Sequence, residues 1–369
     1  MTDGEQVQVV KGRVMSIDAL RGFDMFWIIG GGAIFESLDR VFGNSATGFI
    51  KTQLQHVEWE GFQFEDLIMP LFLFIVGVVM PFSFAKRLEA GSKAHLYLHI
   101  IRRTVILFIL GMVAQGYLLE YDLSRLHIYC NTLQAIAAGY IISAFIILNM
   151  PILWQAVTTA GLLILFWLLM VLVPVPEIGA GVLTPEGNLA IYLDKLILGS
   201  FQDETIYTWI LSSMTFATTV MLGVFAGHWL KTNRSGLQKA TGLAAAGAAC
   251  LIAGYLWGLL FPIIKHLWTS SFVLFSGGIC LLLLALFYLV IDVWGFKKWA
   301  FGFKVIGMNA IAVYMAVHVI DFWSIGNVFV GGLSRWLGDW VGFVQAVAAF
   351  AVVWLILLWM YRKKSFIKI

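Results

Sequence analysis

Charged side chains are scarce in this chain. Asp, Glu, Lys and Arg make up 12% of its 369 residues, while 60% are apolar and the mean hydropathy is +0.88. That balance excludes a soluble globular domain. No polar segment between the apolar runs is long enough to fold as a soluble unit. Cysteine is scarce as well: Cys130, Cys250 and Cys280 lack paired spacing, which argues against a disulfide framework, a zinc site or a haem, and no metal is expected. The formal charge of +3 is small and its basic residues lie in scattered short clusters, so nucleic acid is not an expected partner. No internal repeat of the kind that marks many transporters is visible. Polar Met1 to Val14 leads into a run carrying Asp18, Arg21 and Asp24 without a small-residue cleavage site, which predicts a retained first helix rather than a removable signal.

What is abundant is apolar sequence in stretches of roughly 20 residues, the length that crosses a bilayer as a helix. Lipid is therefore the surrounding partner. The chain is predicted to be an all-α polytopic membrane protein, a single domain over residues 1–369, because lipid-exposed backbone must satisfy its own hydrogen bonds. About ten spans are expected, near 18–38, 65–85, 99–118, 129–149, 151–173, 207–230, 240–260, 270–291, 303–322 and 340–361. With the N-terminus cytoplasmic, seventeen Lys and Arg residues fall on the cytoplasmic side against six on the other. Lys11, Arg13, Lys86, Arg87, Arg102, Arg103, Lys304 and Lys368 belong to the first set, and Lys265 to the second. Under the positive-inside rule both termini are then cytoplasmic and His56 faces the outside. The longest external segment, near 174–206, predicts an amphipathic surface helix over Leu189 to Leu198. Gly223 and Gly227, and the Ala/Gly-rich run from Ala244 to Gly254, predict close helix packing.

Ionisable residues at a membrane boundary are costly to keep there and so point to function. His56-Val57-Glu58-Trp59-Glu60-Gly61-Phe62 is a polar segment between two apolar stretches, and it runs into Glu65-Asp66. An imidazole with a carboxylate partner is the usual general base near neutral pH. From composition alone His56 reads as an ordinary exposed loop histidine; Trp59 and Phe62 as apolar walls, Glu58 and Glu60 as orienting carboxylates and Glu65-Asp66 at the next span shift the reading toward chemistry. Asp18, Arg21 and Asp24 recur every three residues on one helical face. They read either as a self-neutralising pair or as chemistry, and Arg21 would suit an anionic cofactor. Arg102 and Arg103 together offer guanidinium groups at the third span. His318 and Asp321 are spaced for a mutual hydrogen bond, and Asn131 and Gln134 for interhelical bonds.

Six segments in order resemble the heparan-alpha-glucosaminide N-acetyltransferase family and its bacterial relatives. They are Ser16-Ile17-Asp18-Ala19-Leu20-Arg21-Gly22; His56 to Phe62 with Asp66 to Pro70; Leu133-Gln134-Ala135-Ile136-Ala137; Leu222 to His228; Pro262 to Trp268; and Gly307-Met308-Asn309 to Tyr314. The resemblance implies transfer of acetyl from cytoplasmic acetyl-CoA, a co-substrate, to an amino sugar of the glucosamine type beyond the membrane. It implies His56 as the active-site residue. Chemically the imidazole would act as general base or as acetyl carrier, with Asp66 assisting and Asn309 and Trp59 as candidate donors to the oxyanion. Arg21, Arg102, Arg103 and Lys304 are the residues expected to meet the donor. Trp59, Glu60, Lys265, Trp268 and Gln134 are those expected to meet the acceptor. A homodimer and a bacterial inner-membrane location follow from the same resemblance. The chain departs from the family where Ala135 replaces an arginine after Gln134, which marks a divergent bacterial branch and bears on acceptor specificity. The competing functions are transport of an amino sugar or oligosaccharide, and O-acetylation of an envelope polysaccharide.

Overall fold

A computed structural model describes residues 14–367, so Lys11, Arg13, Lys368 and the expectations attached to them lie outside the described residues. The regular elements of the described residues are all helices. In order the chain forms α1 (Met15–Phe26), α2 (Gly32–Phe42), α3 (Ser45–Gln53), α4 (Ile68–Ala90), α5 (Lys93–Ala114), α6 (Thr132–Asn149), α7 (Ile152–Leu172) and α8 (Leu189–Leu198). There follow α9 (Ser213–Leu230), α10 (Gly236–Gly258), α11 (Ser270–Phe287), α12 (Phe301–Gly307), α13 (Ala310–Val319), α14 (Phe322–Val330), α15 (Ser334–Leu337) and α16 (Val341–Arg362).

Among the described residues, seven helical stretches are long and apolar enough to cross a membrane, or eight if the bent pair α12–α13 is one span. The expectation of about ten exceeds this for a physical reason. The first expected span runs through α1 and α2, whose charged residues lower its hydropathy, and the sixth is α9, rich in Ser, Thr and Gly. Both are helical. The ninth is broken by 74° between Gly307 and Ala310. The expected surface helix is present as α8, with the Asn188 side chain accepting from the Ile191 N–H at 2.8 Å.

Small residues set the central packing. A Cβ on Gly223 of α9 would lie 2.0 Å from the Phe74 carbonyl oxygen of α4, and one on Gly77 would lie 1.9 Å from the Val220 carbonyl. The two backbones therefore touch, and only glycine permits it. Gly254 of α10 likewise meets the Phe275 backbone of α11. Around α4 and α9, Leu73, Phe74, Val78, Phe216, Val220 and Val224 are fully or almost fully buried. Of this pair, α4 supplies residues to both of the cavities described below.

Candidate active site

Between α1 and α2 the helix widens to a π-turn over Trp27–Gly31, with Gly30 at φ 116°, a conformation that glycine tolerates and other residues resist. The bulge turns Trp27 and Ile28 toward a cavity of about 550 Å³ that also receives His56. His56 lies in the loop after α3. That loop is fastened to the segment before α11: the Gly61 N–H donates to the Ile263 carbonyl at 2.9 Å, and Glu60 and Ile264 form an antiparallel bridge. Pairing of two loops distant in sequence brings Lys265 to His56.

The resulting cluster is tight. His56 Nδ1 is 3.0 Å from Asp66 Oδ1, and Lys265 Nζ is 3.0 Å from His56 Nδ1, 3.4 Å from Nε2 and 3.4 Å from Asp66 Oδ1. Asp66 is fully buried and its other oxygen accepts the Gln63 N–H at 3.0 Å. Lys265 is 3% exposed, whereas the His56 side chain is 45% exposed and faces the cavity. Burial holds the Lys265 ammonium below the ordinary lysine range, and the adjacent Asp66 carboxylate opposes that effect. His266 stacks on Trp59 with ring centroids 5.4 Å apart and 11° between planes. Burial, then the Lys265 charge, push His266 down to about 4.

The structure separates the expected site residues. His56, Asp66 and Lys265 come together as above. Trp59 stacks on the neighbouring His266, and its indole N–H is committed to the Leu183 carbonyl at 2.8 Å, so it is not a free donor for an oxyanion. Glu60 contributes its backbone to the loop pairing. Trp268 is a core residue rather than an acceptor contact. It is 1% exposed, packs on Phe216 and Phe272, and donates to Thr219 Oγ1 at 2.9 Å. Its role is to anchor the Lys265 segment to α9. Gln134 is also structural: its amide donates to the Phe108 and Ile128 carbonyls, and its oxygen accepts the Cys130 N–H at 2.9 Å. Asn131 donates to Tyr314 at 3.1 Å, an interhelical bond of the expected kind.

A second cavity, of about 250 Å³, is lined by Arg21, Arg87, His99 and Arg103. Asn309 belongs to this end, not to His56. The break between α12 and α13 leaves its amide donating to the Ser365 carbonyl at 3.2 Å and accepting from the Ile367 N–H at 3.0 Å. Arg103 reaches the cavity with its guanidinium 4.6 Å from the centre of the Tyr140 ring, while its neighbour Arg102 is exposed. Adjacent helical residues point about 100° apart, so the two cannot share one ligand face. Lys304 sits 5.6 Å from the Tyr361 ring, outside the cavity lining. Arg21 approaches Asp18 at 3.6 Å and the Gly307 carbonyl at 3.3 Å, so the expected pairing on α1 holds for these two; buried Asp24 has neither oxygen hydrogen-bonded. The His318–Asp321 pair is absent, because α13 ends at Val319 and Asp321 instead caps α14 through the Ser324 N–H at 3.0 Å.

Several lining residues carry no site role on sequence grounds. Arg87 reads there only as a topological charge and His99 has no role, although His99 and Arg103 are spaced four apart on α5 and so share a face. Glu65, Asp203 and Tyr207 line the His56 cavity. Burial raises the Asp203 carboxyl above its ordinary range, and burial carries the Tyr207 phenol up to about 12.

Comparison with known proteins sets similarities beside this geometry. Residues 13–150 match a domain of unknown function, DUF5009. That stretch includes Arg21, His56, Asp66, Arg87 and Arg103 but not Lys265. The chain is 26% identical over 377 residues to the heparan-alpha-glucosaminide N-acetyltransferase of Mus musculus, covering 85% of this chain and 56% of that protein. It is 25% identical over 423 residues to that of Homo sapiens, covering 97% of this chain and 60% of that protein. The chain spans less than two thirds of either relative's length. It is a distant relative of these proteins.

Proposed function

We propose that this distant relative of the heparan-alpha-glucosaminide N-acetyltransferases is a multi-pass bacterial inner-membrane enzyme that moves acetyl from cytoplasmic acetyl-CoA to an amino sugar on the opposite face. The observation that carries the proposal is the pairing of two cavities of opposite chemistry. One presents His56 with Asp66 and Lys265, and the other collects three arginines and a histidine. The guanidinium groups suit the phosphates of CoA, which they can meet bidentately. Glu65 and Asp203 suit the ammonium and hydroxyl groups of an amino sugar, and Tyr207 and Trp27 supply flat apolar walls.

The chemistry follows from the cluster. In the tautomer whose Nδ1–H is donated to Asp66, with Lys265 donating to Asp66 rather than to Nδ1, the imidazole keeps its lone pair on Nε2. As the acceptor nitrogen bonds to the thioester carbon and the carbon–sulfur bond breaks, Nε2 takes the nitrogen's proton and passes one to the departing CoA sulfur. Lys265 Nζ, 3.4 Å from Nε2, is the nearest cation for the negative charge that develops on the carbonyl oxygen. The test is acetyl transfer from labelled acetyl-CoA by protein in nanodiscs to a panel of amino sugars and hydroxyl-only sugars. Product on amines alone supports the proposal, product on hydroxyls reassigns the acceptor, and no product with any acceptor overturns it.

A further inference from the structure

Both cavities are lined by one stripe of α4, and a single side chain of that stripe belongs to both. Ile68 and Met69 face only the His56 cavity, Val76 and Met80 face only the arginine cavity, and Phe72 lines the two together. These positions recur at three- and four-residue spacing, so they form one continuous face of the helix. Phe72 is 4% exposed, and the backbone behind it is held by the α4–α9 contact at Gly77. The ring is thus the side chain common to the two chambers, on a helix whose backbone touches α9.

We propose that the Phe72 ring is the partition between the chambers, and that the acyl-bearing arm of the thioester donor passes it to reach His56. The ring then filters donors by the size of the acyl group. Along α4, Phe72 lies about 6 Å from Ile68 at the start of the helix and about 22 Å from the level of Arg87, at 1.5 Å per residue. A donor whose phosphates sit among the arginines therefore meets the ring on the final part of its path. This inference rests on the acyl-transfer reading above, and its test has one arm that does not.

That arm uses Met69→Cys, just beyond the ring, in protein whose Cys130, Cys250 and Cys280 are replaced by alanine. A membrane-impermeant thiol reagent is added to sealed vesicles from the side on which a cysteine at position 86 is labelled. Position 69 should resist labelling when Phe72 is present and be labelled in the Phe72→Ala variant; Phe72→Leu gives an intermediate result if the alanine protein fails to fold. Equal labelling with and without the ring would overturn the partition. In the second arm, acetyl-, butyryl- and hexanoyl-CoA are compared. Phe72→Ala should raise the kcat/KM of the longer donors relative to acetyl-CoA by about tenfold or more, the scale on which pocket size discriminates methylenes. An unchanged ratio would overturn the filter. If neither protein transfers any acyl group, the filter falls with the transfer reading, while the labelling still decides the partition.

Discussion

Replacing Asp66 by asparagine should cost both rate and stability, and the two losses can be separated through Lys265. The carboxylate is fully buried, 3.0 Å from His56 Nδ1 and 3.4 Å from Lys265 Nζ, which is itself 3% exposed. Asparagine keeps the shape but removes the charge. His56 then loses the acceptor that fixes its tautomer, which should lower kcat by about two to four orders of magnitude. Lys265 is left as an uncompensated buried cation, a situation that costs up to about 3–5 kcal/mol. Adding Lys265→Met to Asp66→Asn should therefore restore most of the lost thermal stability without restoring activity. The coupling is read from a double-mutant cycle of unfolding in detergent, beside acetyl transfer in nanodiscs. Near wild-type turnover by Asp66→Asn, or strictly additive stability losses, would refute the assignment of this trio as one charge-coupled unit.

Further outcomes follow from the same geometry. His266, held at about 4 against an ordinary 6.5, binds fewer protons folded than unfolded between those values, so stability should fall as pH drops through that window, and His266→Phe should flatten the dependence measured by thermal unfolding. Arg87→Gln with Arg103→Gln should weaken acetyl-CoA binding by about one to two orders of magnitude at low salt, with a smaller loss at high salt, whereas Arg102→Gln should leave calorimetric affinity unchanged. Gly223→Val places a side chain 2.0 Å from the Phe74 carbonyl and should destabilise by at least the 1–3 kcal/mol typical of overpacking, seen as loss of monodisperse protein on size-exclusion chromatography.

How much of this was legible in the sequence depended on whether a feature is local. The helices follow from apolar runs, and the close α4–α9 contact follows from Gly223 and Gly227. His56 and Asp66 stand ten residues apart in a polar segment and could be paired by inspection. The resemblance points to Lys265 as an acceptor contact, but its place beside His56 depends on loop pairing at Gly61 and Ile263, which no periodicity encodes. Arg102 and Arg103 look equivalent in sequence and differ only by their rotation on α5. The places of Asn309 and Asp321 depend on where α12 and α13 break and end, and element boundaries are the least legible part of a sequence. Arg87 was legible as charge at the end of α4, but its convergence with Arg21 and Arg103 exists only in three dimensions.

The central claim is transfer across the membrane at His56, and sealed proteoliposomes test it most directly. Labelled acetyl-CoA is supplied on the side where a cysteine at position 86 reacts, and amino sugar on the side where one at position 55 reacts. The account predicts acetylated sugar on the acceptor side with the wild-type chain, and loss of about two to four orders of magnitude in rate with His56→Ala while acetyl-CoA binding persists. Wild-type turnover by His56→Ala, or product formed only when donor and acceptor share one side, would contradict it.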